Sequence, residues 1–129
     1  MKIYDMEIEE RKQVYEAIDK IIGSEKELAE KCKGMTCSGR SYQFYQYRKM
    51  QDKLVKIAEN YGTEKLCKAI NFRGHEAHGV TASGKTYSFT MNEYGMTDRS
   101  GYCGTLYIDG KCKFTSGTVA KVIEYLINN

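Results

Sequence analysis

The sequence predicts an α+β fold. Its order is three N-terminal helices with the third longest, a four-stranded antiparallel sheet of two hairpins, and a C-terminal helix packed on the sheet. Three observations carry this. Apolar residues recur every three or four positions through the first half, the period of a helix that buries one face. After residue 70 the period falls to two, as in strands with one buried side. Between two alternating runs stands Asp109–Gly110, among the strongest short hairpin signals. The 129 residues suit a single domain, with 1–69 helical and 70–129 holding the hairpins and closing helix. Folding at this length buries roughly two-thirds of the unfolded surface, enough for a core without staples.

Each element has a local cause. Tyr4, Ile8, Tyr15, Ile18 and Ile22 form a stripe widened by Val14 and Ile21, so a first helix ends near Gly23. "SEKE" at 24–27 matches a capping box, with Ser24 as cap and Glu27 reaching back, and starts a second helix running to about Cys32. "KGMTCSGRS" reads as a loop. The third helix is expected from Ser41 to Tyr61, with Gly62 stopping it. "TEKL" at 63–66 adds a short turn of helix capped by Thr63. "HEAHGVTA" pairs with "KTYSFTMNEY" through a two-residue Ser83–Gly84 turn, which sets Val80 against Tyr87 and His78 against Phe89. The buried face is then Val80, Tyr87, Phe89 and Met91. The open face is Ala77, Gly79, Thr81, Thr86, Ser88, Thr90 and Asn92, a flat platform of small groups. "GTLYI" and "KCKFT" form the second hairpin. The final helix buries Val119, Val122, Ile123, Leu126 and Ile127.

Composition narrows the class. No stretch approaches the ~20 apolar residues of a membrane span. The acidic start "MKIYDMEIEE" has no signal-peptide character, and five cysteines are an odd number, so free thiols in a cytoplasm are expected. The net charge of +3 is unevenly distributed. Residues 1–30 carry five cations against nine acids, 31–73 carry ten against three, and 74–129 carry five of each. A local basic segment bears on partners more than the total does. Lys outnumbers Arg by 15 to 5, with Ile, Tyr and Asn plentiful, a usage typical of AT-rich coding DNA in low-GC bacteria and their phages.

"GVTASGKT" (79–86) fits the phosphate-loop pattern letter for letter. In that reading Gly84 and nearby amides cradle phosphates, Lys85 reaches the outer ones, and Thr86 holds magnesium with Asp109 as a second carboxylate. The mechanism requires a buried parallel strand before the loop and a helix after it. "TYSFTMN" alternates like a strand, so a hairpin turn that spells the motif is the favoured reading. For metals, the "HEAH" histidines lie three apart, which on a strand points them to opposite faces. Cys32, Cys37, Cys67, Cys103 and Cys112 contain no paired C-x2-C spacing, so no metal site and no cofactor are assigned. No carboxylate pair or Cys–His pair is nominated for catalysis, and a non-enzyme is expected.

The most informative stretch is "SGRSYQFYQYRKM" (38–50). On a wheel of about 100° per residue with Phe44 at zero, Phe44, Tyr47, Met50, Leu54, Ile57, Ala58 and Tyr61 share one arc. Tyr42, Tyr45, Lys49, Lys53 and Lys56 fall on another. Two rings are thus expected inside, and two outside on a cationic ridge. With Arg40 and Arg48 added, this is the expected contact surface. Lysines neutralise phosphates and rings stack on unpaired bases, while the same groups also anchor protein interfaces. The alternative packs Tyr42 and Tyr45 under the first helices. The second half's α-β-β-β-β-α order resembles that of double-stranded-RNA-binding domains, but its last helix lacks an opening lysine cluster, so no function transfers. The expectation is a small cytoplasmic binding protein that engages nucleic acid or a host nucleic-acid-handling complex. A phage-encoded inhibitor of host defence, of the anti-CRISPR kind, fits that description. Nucleotide binding through Gly84, Lys85 and Thr86, or direct nucleic-acid regulation, are the alternatives.

Overall fold

A computed structural model describes residues 2–73, 76–91 and 103–129. The fold is α+β: helices come first, then an antiparallel sheet, then a closing helix. A 3-10 turn (Ile3–Asp5) precedes α1 (Ile8–Ile22), α2 (Glu25–Lys31), α3 (Cys37–Tyr61) and α4 (Thr63–Ala69). α4, expected as one turn of helix, is long enough to count as a fourth helix ahead of the sheet.

The helix ends follow their caps. Ser24 Oγ accepts from the Glu27 amide and Glu27 Oε2 accepts from the Ser24 amide, so the capping box forms and starts α2. α3 begins earlier than the expected Ser41. Thr36 is its cap, and its Oγ1 accepts from the Gly39 amide at 3.1 Å. Gly39 lies in the first turn, where amides have no acceptor within the helix, and the Thr36 hydroxyl supplies one. Gly62, at φ +96°, both ends α3 and precedes α4. Thr63 therefore does not cap; its hydroxyl lies 3.4 Å from Met6 Sδ.

The α1 stripe is rotated from expectation. Val14, Ala17, Ile18, Ile21 and Ile22 are buried, while Tyr4, Ile8 and Tyr15 are exposed. The three- and four-residue period is satisfied by either arc, and contacts with α3 and α4 select the one with the smaller, branched side chains.

The sheet order is β1 (Phe72–Arg73), β2 (Glu76–Val80), β3 (Thr86–Met91), β4 (Cys103–Ile108) and β5 (Lys111–Thr118), each strand antiparallel to the next. The two-residue β1 is a fifth strand beyond the four expected, added along the outer edge of β2. His75 and the expected continuation of β3 through 92–94 lie outside the described residues. Asp109 and Gly110, at φ +48° and +80°, close β4–β5 as expected of a hairpin turn with both φ positive.

The β2–β3 register differs by one residue from the expected one. Gly79 opposes Tyr87, Ala77 opposes Phe89, His78 opposes Ser88 and Val80 opposes Thr86. The loop is Ala82–Ser83–Gly84, closed by the Thr81 amide donating to Lys85 O at 2.7 Å, with Gly84 at φ +86°. A three-residue loop ending in a left-handed glycine replaces the two-residue turn. A one-residue slip moves every side chain of a strand to the other face. Val80 and His78 are therefore exposed, and Ala77 and Thr81 are buried. Packing explains the choice. A Cβ on Gly79 would stand 2.8 Å from the Tyr87 ring, so large rings on β3 demand small partners on β2. The open face consequently carries Glu76, His78, Val80, Thr86, Ser88 and Thr90, not the platform of Ala77, Gly79 and Thr81; Asn92 lies outside the described residues.

α5 (Val119–Asn128) follows β5 directly, capped by Thr118 Oγ1 accepting from the Lys121 amide. It buries Val119, Val122, Ile123 and Leu126, with Ile127 half-buried, and touches α3, α4, β4 and β5. The core thus joins both halves: Met50, Leu54 and Ile57 of α3, Leu66 of α4, Phe89 and Leu106 of the sheet, and α5. Among the described residues, no helix is long and apolar enough to cross a membrane.

Candidate interaction surface

α3 is an unbroken helix of 25 residues. Its buried residues are Gln46, Tyr47, Met50, Leu54, Ile57 and Ala58, with Phe44 and Tyr61 half-buried against the core. Tyr47 is 5% exposed, and burial, with Asp19 and Glu25 nearby, pushes its phenol above the usual range. The expected division between rings holds: Tyr42 is 41% and Tyr45 59% exposed. A helix rises 1.5 Å per residue, so the line from Tyr42 to Lys56 spans about 21 Å.

The ridge has internal order. Lys49 Nζ stands 5.8 Å from the centroid of the Tyr45 ring, a cation–π contact between successive turns. Lys49 and Lys53 are half-buried and Lys56 is exposed. The arginines lie elsewhere. Arg40 donates to Met35 O at 3.4 Å at the start of the helix, and Arg48 pairs with Glu25 of α2 at 3.0 Å. Both arginines are exposed; Arg48 faces α2 and Arg40 the loop before α3, and neither lies on the arc of Tyr42, Tyr45 and the three lysines.

Gln46 is a residue the sequence reading passed over. It borders the ridge, is 7% exposed, and its Oε1 has no hydrogen-bond partner among the described residues. Leaving a buried carbonyl unpaired costs about 1–3 kcal/mol. Nothing in a lone glutamine between aromatic neighbours signals this, because its burial depends on what packs across it.

The "GVTASGKT" segment is strand, turn and strand. The amides of residues 83–86 are already spent. Ser83 N donates to Asn129 O, Gly84 N to Thr81 O, Lys85 N to Thr81 Oγ1 and Thr86 N to Asp109 Oδ1. β3 follows where a phosphate loop has its helix. Thr86 and Asp109 do meet, with Oγ1 donating to Oδ1 at 3.1 Å, and this contact ties the two hairpins together. Lys85 is exposed beside the turn.

The thiols and histidine are dispersed. Cys32 is buried at the end of α2, Cys67 is half-buried with its thiol pushed up by burial, and Cys37 and Cys112 are exposed. His78, expected on the apolar face, stands exposed on the open one with Nε2 at 3.3 Å from Glu76 Oε2. Among the described residues, no three metal-ligating side chains converge. No protein-family model, curated protein or solved structure matches the chain.

Proposed function

We propose that the protein is a binding module that acts by occupancy, using the Tyr42–Tyr45–Lys49–Lys53–Lys56 ridge to engage nucleic acid or the surface of a nucleic-acid-handling complex. The observation that carries this reading is the exposure of both phenols in line with the lysines on one continuous helix. A ring costs little entropy to fix, and it offers its face to a base or to a partner's side chain. The basic excess of residues 31–73 supplies the attraction at longer range. Arg40 and Arg48 contribute to that field from a neighbouring face. Inhibition of a host defence complex, of the anti-CRISPR kind, is the biological role this reading favours, in a bacterial cytoplasm.

Fluorescence anisotropy with labelled single- and double-stranded oligonucleotides tests direct contact. Three lysines on three phosphates of a single strand give a log K against log salt slope of about −2. Tyr45→Ala removes one stacking platform, about 1–3 kcal/mol, and Lys49→Glu reverses one contact. A protein target instead gives no oligonucleotide binding and co-purification with a host complex, abolished by the same two substitutions. If neither substitution changes either readout, the ridge is not the contact surface. Nucleotide binding by Gly84, Lys85 and Thr86 is the second reading, favoured only by the meeting of Thr86 with Asp109. Binding of fluorescent ATP that disappears in Lys85→Ala would establish it.

A further inference from the structure

We propose that the α3 ridge takes a single strand of nucleic acid, DNA or RNA. Tyr42 and Tyr45 are stacking platforms for unpaired bases, and Lys49, Lys53 and Lys56 follow the phosphates. This rests on the ridge being the contact surface and adds which partner it fits. The stripe is narrow: at about 100° per residue its five side chains fall within an arc of roughly 80°. Its length of about 21 Å spans at most about six nucleotides stacked at about 3.4 Å each.

The kind of cation on the stripe favours a phosphate backbone over a protein surface. Protein interfaces are depleted in lysine and enriched in arginine. Here the three cations beside the rings are all lysines. Arg48 is held by Glu25 of α2 at 3.0 Å, and Arg40 lies at the start of the helix. Residues 31–73, which include the whole stripe, carry ten cations against three acids, a balance that draws a polyanion.

The rings and one flanking acid decide between a single strand and a duplex. Tyr45 is 59% and Tyr42 41% exposed. In a duplex each base face is covered by its neighbours in the stack, so such rings meet only edges and phosphates. An unpaired base offers its whole face. Lys49 Nζ, 5.8 Å from the Tyr45 centroid, sets a cation beside that platform. No side chain of the stripe is an Asn, Gln or Arg, the types that read base-pair edges with two hydrogen bonds. Asp52 is exposed and lies only about 20° round the helix from Tyr45. A major groove flanks a helix with phosphates on both sides and sets one row against this carboxylate. A single strand that follows the lysines does not cross it.

Anisotropy titrations of the full chain at one fixed salt concentration test the proposal. The probes are labelled mixed-sequence single strands of three, six and twelve nucleotides, run as DNA and as RNA to tell the two sources apart, and a twelve-base-pair duplex. The expected result is a single strand bound about tenfold or more tighter than the duplex, with affinity rising to about six nucleotides and then levelling off. Tyr45→Ala should weaken the six-nucleotide strand about tenfold, whereas Tyr45→Phe keeps the platform and stays within about twofold. Tyr45 is an exposed residue, and an unchanged circular dichroism spectrum shows that the fold is retained. A duplex bound as tightly as the strand, yet weakened by Lys49→Glu, would overturn the single-strand assignment and leave the ridge as the contact surface. So would a lack of oligonucleotide binding together with a host complex that co-purifies and is lost in Tyr45→Ala. Strand binding that is weakened by Lys49→Glu but indifferent to Tyr45→Ala would overturn the stacking role. Indifference of every readout to both substitutions would remove the ridge itself.

Discussion

Replacing Asp109 by alanine separates a structural clasp from a metal-holding carboxylate. Asp109 opens the β4–β5 turn at φ +48°, and its Oδ1 accepts from Thr86 N at 2.9 Å and Thr86 Oγ1 at 3.1 Å. The substitution removes two hydrogen bonds to a charged acceptor. Because the site is exposed, each contributes about 0.5–1 kcal/mol. Alanine in a left-handed conformation adds about 1 kcal/mol that aspartate largely avoids. The sum is about 2–3 kcal/mol, and the corresponding fall in Tm for a domain of this size is roughly 10 °C. Urea unfolding followed by far-UV circular dichroism measures it. Asp109→Asn keeps both the turn preference and a neutral acceptor, so its cost should be about 1 kcal/mol. The reasoning fails if Asp109→Ala unfolds within about 0.5 kcal/mol of the parent, the range of ordinary surface changes, or if asparagine costs as much as alanine. A metal-holding role predicts a different pattern, lost nucleotide binding with stability retained.

Three further predictions follow from single contacts. Ser24→Ala opens the capping box and should cost about 1 kcal/mol in urea unfolding, whereas Ser24→Asp should be close to neutral. Gly79→Val drives a branched side chain into the Tyr87 ring and should cost about 1–3 kcal/mol, although valine is the better strand former in isolation; a stabilised variant would contradict the observed register. Asp19 has its pKa raised, by burial first and then by Glu27 and Glu16. Its folded pKa lies above its unfolded one, so its charge weakens the fold at neutral pH. That penalty fades as the pH falls through the raised value and is gone below the ordinary one. Asp19→Asn should therefore raise stability at pH 7 by under about 0.5 kcal/mol and leave it unchanged at low pH, measured by denaturation at both pH values.

The parts legible in the sequence are those with a local cause. The Ser24–Glu27 box, the Gly62 stop and the Asp109–Gly110 turn each act within four residues, and each stands where the chain indicated. The outward placement of Tyr42 and Tyr45 was legible for the same reason, because a helix fixes which residues share a face. Thr36 as the α3 cap was less visible, since "TCSG" reads equally as loop until the hydroxyl is seen to meet the Gly39 amide. The partner of Arg48 depended on where α2 folds back, which no spacing within α3 reveals.

What the sequence determined by itself was the type and order of most elements and the composition of the ridge, because periodicity and capping are short-range. Only the tertiary structure decided the β2–β3 register and the buried arc of α1. In both, the local hydrophobic period is compatible with more than one solution. Side-chain volume across the gap chose between them: Tyr87 over Gly79, Phe89 over Ala77, and α1 against α3 and α4. Packing of that kind couples residues far apart in the chain, and so it is absent from any local reading.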